Sequence, residues 1–162
     1  MTADQKALAT GYKDVINSTN VHNIDVVKQS ESLSDLSQNT FQMKTGKEMN
    51  DIGGGGGSTV LPDGQSHLEV IVMDATTQVP FVDRASGATV NHPSSAGEIS
   101  AHEIIGHQLA DEKNSVNASG LNSVQVTNLY LRTQGINTYY RTEHIGLPFS
   151  TSKVEWIPDY LK

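Results

Sequence analysis

The chain contains 162 residues, of which 36% are hydrophobic and 18% charged, and its net charge is −7 when histidine is counted as neutral. This length suits one domain with its own hydrophobic core. No apolar run approaches the roughly 20 residues of a membrane helix, and Lys and Arg are scattered rather than gathered into the basic patch that nucleic acid requires. The composition therefore argues against membrane and nucleic-acid partners. Because cysteine is absent, any metal must be bound by His, Asp or Glu.

The N-terminal part predicts a helix followed by strands. Thr2 and Gln5 have the spacing of a capping box, and apolar residues then recur with helical periodicity as far as the polar segment 17–20. Runs of β-branched residues favour strands at 23–29 and 40–44, separated by a Ser-rich segment at 30–37. The polar N-terminal residues lack the basic and apolar regions of a secretory signal, so we expect no export signal of the usual kind. The chain is alternatively expected to be a piece cut from a longer protein.

Glycine dominates segment 53–58, which lacks the Gly-Lys-Ser/Thr ending of a phosphate-binding loop. We predict a flexible surface loop there. Segment 67–74 is the best strand candidate, and apolar side chains on both of its faces indicate a central, buried position. Segment 79–93 is rich in Gly, Pro, Asp and Asn and predicts a loop.

Two helices are predicted in the second half of the chain. Ser95 and Glu98 repeat the capping-box spacing and begin a helix at about 96–112, and a second helix follows at about 121–134, before Gly135. The C-terminal remainder is expected to be irregular but packed. These elements predict one α+β domain over residues 1–162, in which a short mixed or antiparallel sheet packs on the two helices.

The segment His102 to His107 places two imidazoles and the carboxylate of Glu103 within six positions of the first helix. Neutral imidazole ligands and a nearby base are what a catalytic zinc ion requires. The usual motif spaces its histidines four apart, whereas here they are five apart, about 140° around a regular α-helix. A common metal therefore requires a π-type irregularity near Ile104 to Gly106.

Two other interpretations need no irregularity. Glu103, His107 and Asp111 recur at every fourth position, so an ordinary helix would align them as a mixed carboxylate and imidazole metal site. The same residues would equally suit a charged, solvated helix surface with one partly buried histidine.

The segment Asn91 to Leu109 resembles the metallopeptidase domains, often with the motif H-E-x-x-G-H, that close many bacterial Rhs/YD-repeat and related polymorphic toxin proteins. The likeness runs from Leu68 to about His144, and Val124 to Arg132 is similar to a family helix usually written V-R-x-E-N-x-Y-R. Thr127 departs from that pattern, because it stands where the acidic residue, a natural third metal ligand, is expected.

The resemblance implies a small zincin-like domain and a zinc-dependent hydrolase, a peptidase, acting on a peptide or protein substrate. His102 and His107 would be metal ligands and Glu103 the general base. For the third ligand we favour His144 over the other candidates, Asp111, Glu112 and Glu143. The resemblance also implies a toxin or effector domain, secreted as part of a larger bacterial protein and paired with an inhibitor protein.

An alternative that the Thr127 departure would explain is a catalytically inactive peptidase-like domain that binds another protein. The remaining histidines, His22, His67 and His92, are interpreted as structural. Tyr139 and Tyr140 could donate hydrogen bonds to an oxyanion, but aromatic packing is the simpler expectation for both.

Overall fold

A computed structural model of the chain describes residues 1–28, 56–61, 63–75, 78–115, 120–144 and 146–162. The molecule is a small α+β domain, as predicted, with helices packed against small mixed and antiparallel sheets. The Ser-rich segment 30–37 and the strand predicted at 40–44 lie outside the described residues. Within the described ranges, no helix combines the length and the apolar character that a bilayer span requires.

Helix α1 (Ala3–Ile16) begins with the predicted capping box. Thr2 Oγ1 accepts a hydrogen bond from the Gln5 backbone N–H at 3.1 Å, and the Thr2 N–H donates to Gln5 Oε1 at 2.9 Å. The helix ends at Asn17, whose N–H returns to the carbonyl oxygen of Lys13. Its buried face packs on the core through small side chains and Val15.

The first sheet contains β1 (Val21–Val27), β2 (Gly56–Val60) and β3 (Ser66–Val72) in the order β1-β3-β2. Strand β3 is parallel to β1 and antiparallel to β2, and it is buried from His67 to Val72. This confirms the prediction of a central strand.

The prediction of a flexible loop at 53–58 is wrong for Gly56 to Ser58, which form the start of β2, while 53–55 lie outside the described residues. A Cβ on Gly56 would lie 2.3 Å from Ile99 Cγ2 and 3.1 Å from Glu103 Cγ. Glycine is therefore required here for close approach between the strand and a helix, not for flexibility.

The loop predicted at 79–93 is also wrong, because the segment forms a hairpin of β4 (Gln78–Asp83) and β5 (Thr89–Pro93), joined by β6 (Tyr139–Tyr140) in a second sheet. The bend begins at Asp83, whose Oδ1 accepts hydrogen bonds from the backbone N–H groups of Ala85 and Ser86, while Pro80, Asn91 and Pro93 lie within the strands. Val79 and Phe81 alternate into a small core of their own.

The helix predicted at 96–112 is present and begins after Ser95, whose side chain accepts from the Glu98 N–H. It consists of α2 (Ala96–Ser100), a π-helix (Ala101–Leu109) and α3 (Ala110–Glu112). We call this continuous segment, 96–112, the motif helix. It packs against α4 (Leu121–Thr133), which ends before Gly135, at a φ of 75°, as predicted.

The C-terminal part is less irregular than predicted. It contains the short strands β7 (Glu143–His144) and β8 (Leu147–Pro148), helix α5 (Thr151–Val154) and a 3₁₀ turn (Asp159–Leu161). The main core lies between the first sheet, α1, the motif helix and α4, where Ile105, Leu109 and Leu129 are fully buried.

Candidate metal centre

The π-helix brings His102 and His107 onto one side of the motif helix. A π-helix closes its hydrogen bonds between residues five apart, so it aligns side chains at the spacing of these two histidines. Their ring centroids lie 5.0 Å apart. The predicted irregularity is therefore present, and it extends over Ala101–Leu109 rather than a single bulge.

Two neighbouring groups hold the widened turn in place. Gly106 lies so close to α4 that a Cβ there would be 2.5 Å from the Cα atom of Ser123. On another side, the buried hydroxyl of Tyr160 donates a hydrogen bond of 2.8 Å to the carbonyl oxygen of Ile105. The glycine in the motif is thus explained by the contact between the two helices.

His144, on β7, completes a cluster of three imidazoles with His102 and His107. One nitrogen of each ring can be chosen so that all three lie within 4.8 Å of one another, close enough to bind a metal ion together. The Nε2 atoms of His107 and His144 are 3.2 Å apart, and the His102 and His144 rings stack at 5.3 Å. The structure therefore brings together the three residues expected to bind metal.

The buried side chain of Asn128 anchors the segment that carries His144. Its Oδ1 accepts from the Arg141 backbone N–H at 2.7 Å, and its Nδ2 donates to the Arg141 carbonyl at 2.8 Å and to that of Val154 at 3.1 Å. The Arg141 Nε then donates to the carbonyl of Glu143 at 2.9 Å. Helix α4 thus fixes the chain three residues before His144.

The surroundings keep the imidazoles of His102 and His144 neutral. Burial, with the nearby charges of Arg141 and the other two histidines, lowers the pKa of His102 well below its ordinary value. Burial, His107 and Arg141 lower the pKa of His144 to about 4. At neutral pH both rings are deprotonated, which is the state in which imidazole binds metal.

Thr127 lies behind His102 rather than in a ligand position. Its hydroxyl donates to the carbonyl of Ser123 at 2.9 Å, so the oxygen is left to accept from His102 Nδ1 at 2.8 Å. Arg141 Nη1 also approaches this nitrogen, but at 3.4 Å the contact is much longer. The shorter bond places the proton on Nδ1 and leaves the Nε2 lone pair of His102 for a metal.

Glu103 is buried next to His102 in a small cleft, whose lining also includes Ser94, Glu98, Ile99, Thr127 and Arg141. Burial raises its pKa to about 7, although Arg141 and a hydrogen bond with the Ser58 side chain oppose the shift, and Glu69 adds to it. The carboxyl group is therefore set to exchange a proton near neutral pH.

The other candidates for a third ligand lie elsewhere. Asp111 is exposed, and the π-helix removes the regular four-residue repeat that would align it with Glu103 and His107. Glu112 contacts His22 and His67 instead. Glu143 is half-buried beside Pro148 of β8.

The two tyrosines considered as oxyanion donors make aromatic contacts. Tyr139 packs edge-on against Phe81 and close to His92, and the Tyr140 ring lies 4.5 Å from the guanidinium carbon of Arg84. His92 itself stacks on Phe81 in the second sheet. These placements agree with the packing expected for all three.

Sequence reasoning missed Ser58 and Arg141 as neighbours of the cluster. Ser58 follows a glycine run and gave no signal, since its approach to Glu103 depends on the pairing of β2 with β3. Arg141 lies three residues before the candidate ligand His144, and this proximity in the sequence was the one signal that could have indicated its place near the site.

Comparisons with protein-family models, with curated proteins and with solved structures found no match. The resemblance to toxin-associated metallopeptidases therefore stays a prediction that rests on the motif residues.

Proposed function

We propose that this chain is a zinc-dependent hydrolase that cleaves peptide bonds. The observation that carries the proposal is the convergence of His102, His107 and His144, through a π-helix, on one point beside a buried carboxyl group. Three neutral imidazoles form the protein part of a catalytic zinc site, in which a fourth position stays open for water or substrate.

The distance between His107 and His144 suits zinc. Two nitrogen ligands at about 2.0 to 2.1 Å from a tetrahedral ion lie about 3.3 Å apart. The His107 and His144 Nε2 atoms are 3.2 Å apart. Behind His102, the Thr127 hydroxyl fixes the ring tautomer in the way that partners of metal-binding histidines do.

Bound zinc would lower the pKa of a water ligand towards neutrality and polarise a carbonyl group. Glu103 would act as the general base, since its buried carboxyl group shares the cleft with His102. Arg141 holds a positive charge beside Glu103 and so keeps part of its carboxylate ionised. Ser58 orients the carboxylate through its side-chain hydrogen bond.

The test combines metal analysis with hydrolysis of an unstructured protein such as casein. Glu103→Gln should abolish hydrolysis while zinc binding stays close to that of the unmodified chain. The matched control is Asp111→Asn, which removes an exposed carboxylate from the same helix and should retain activity. Full hydrolysis by the Glu103 variant would refute its role as base, and loss of activity in the control would favour the Glu103, His107 and Asp111 stripe.

Zinc binding without hydrolysis of any protein substrate would instead support the alternative, a peptidase-like domain that binds another protein. A role as a toxin or effector within a larger bacterial protein, with its own inhibitor, is a further expectation from the resemblance. Expression of the chain inside a bacterium, with the Glu103→Gln variant as control, measures that toxicity directly.

A further inference from the structure

A second histidine cluster lies at the C-terminal end of the motif helix. His22 and His67 are register partners on the parallel strands β1 and β3, and their rings stack at 5.0 Å. Glu69, two residues after His67, lies on the same face of β3. Glu112, in the last turn of the motif helix, approaches both imidazoles. The side chains of the four residues are only 0 to 11% exposed.

The hydrogen bonds define which ring nitrogen carries the proton. His22 Nδ1 lies 2.7 Å from Glu69 Oε1, and a carboxylate oxygen accepts, so His22 donates from Nδ1. His67 Nδ1 contacts Gln108 Oε1, which is also an acceptor. The Asn20 amide approaches His67 Nε2 at 3.3 Å, consistent with Nε2 as an acceptor. In each ring the Nε2 atom, with its lone pair when the ring is neutral, therefore faces away from the outer partner.

Those two lone pairs converge on a carboxylate oxygen. Glu112 Oε1 lies 2.8 Å from His22 Nε2 and 3.3 Å from His67 Nε2. Among the described residues, neither His22 Nε2 nor Glu112 Oε1 has a hydrogen-bond partner, although both atoms are buried. Glu112 is oriented by Ser18, whose hydroxyl donates to Oε2 at 2.9 Å. A cation between these atoms, either a proton or a metal ion, would satisfy both buried atoms that lack a partner.

We propose that His22, His67 and Glu112 form a second binding site for a divalent transition metal. Two imidazole nitrogens and one carboxylate oxygen are a donor set that suits zinc and its neighbours. Glu69 and Gln108 serve as the outer acceptors that metal-binding histidines almost always have on the other ring nitrogen. The ion would tie β1 and β3 to the end of the motif helix and replace the long contact from Asn20.

The site is tested by counting the zinc ions bound to the metal-stripped, full-length chain, by titration against a chromophoric chelator. The unmodified chain should bind two. His107→Ala should bind one, at the second site, Glu112→Gln should bind one, at the first, and the double variant should bind none. Asp111→Asn removes the neighbouring exposed carboxylate and, as the matched control, should still bind two.

Equal stoichiometry for Glu112→Gln and the unmodified chain would overturn the second site and leave a cluster bridged by protons only. That result does not affect the proposed function, which fails instead if His107→Ala removes no zinc. Circular dichroism checks folding of each variant. Where Glu112→Gln fails to fold, His22→Gln with His67→Gln provides the second measurement, and retention of two ions by that folded variant contradicts the site.

Discussion

Two histidine clusters involve the motif helix, one in its π-helical middle and one at its C-terminal end, and they differ in their content of carboxylate groups. The cluster of His102, His107 and His144 consists of imidazoles alone, and burial lowers the pKa of at least two of them. The cluster around Glu112 pairs imidazoles with carboxylates. The first contains no carboxylate, whereas in the second each imidazole lies within 3.3 Å of a carboxylate oxygen.

This difference has a consequence for metal binding. Neutral imidazoles release no proton when they bind an ion, so the first cluster is ready at neutral pH. In the second, any proton shared between Glu112 and an imidazole competes with the metal. We therefore expect the first cluster to bind zinc more tightly and the second to respond more steeply to pH.

The largest expected effect comes from removing a ligand of the first cluster. His107→Ala should weaken the tighter zinc site roughly a hundredfold to a thousandfold. The binding free energy of a structural zinc ion is about 10 to 16 kcal/mol, and four ligands share it. Competition with a chelator of known affinity measures the change. His92→Ala, which removes a histidine from the second sheet, should leave affinity unaltered. Equal losses in both variants would contradict the three-histidine site.

Gly106→Ala should destabilise the protein by about 2 to 3 kcal/mol, because overpacking forces backbone shifts where Gly106 meets Ser123. Urea denaturation measures the free energy of unfolding. Asp111→Ala, exposed on the same helix, should change it by less than about 0.5 kcal/mol. An unchanged free energy of unfolding for Gly106→Ala would mean that contact with α4 does not hold the π-helix between His102 and His107.

Thr127→Val should weaken the tighter site by about 10- to 100-fold, as expected when the partner of a metal-binding histidine is removed. The change keeps the size of the side chain and removes only the hydroxyl that accepts from His102. Thr127→Ser keeps that hydroxyl and should stay within a few-fold of the unmodified affinity. If valine binds zinc as tightly as serine, Thr127 does not set the tautomer.

The smallest effect is expected at Tyr160, which contacts the motif helix at Ile105, between His102 and His107. Tyr160→Phe removes the hydrogen bond to Ile105 and should reduce the free energy of unfolding by about 1 kcal/mol. Tyr140→Phe keeps the ring beneath Arg84 and is the control for loss of a tyrosine hydroxyl group. A larger change in the control than in Tyr160→Phe would remove this support for the π-helix.

Sequence patterns predicted the helices well, because capping residues and helical periodicity are local. The spacing of His102 and His107 even predicted the π-type irregularity, since two ligands five apart leave few other geometries. Glycine content misled twice: it marked Gly56 as flexible and obscured the hairpin of β4 and β5. Local composition does not reveal that a glycine allows a strand to approach a helix.

The second cluster could not be predicted from the sequence. His22 and His67 were interpreted as structural, and Glu112 only as a candidate ligand for the first site. The three side chains lie together because β1 and β3 pair in this register and because the motif helix ends at Glu112. Long-range pairing of this kind leaves no short spacing to recognise, whereas two of the three residues in the first cluster share one helix.

The central claim, a metal bound jointly by His102, His107 and His144, is tested most directly by anomalous diffraction at the zinc absorption edge. A crystal of the zinc-loaded chain should show a peak about 2.0 to 2.1 Å from one nitrogen of each ring, with Nε2 as the ligand atom of His102. A zinc-loaded crystal without a peak among these three rings, or with a peak bound to only one of them, would contradict the account.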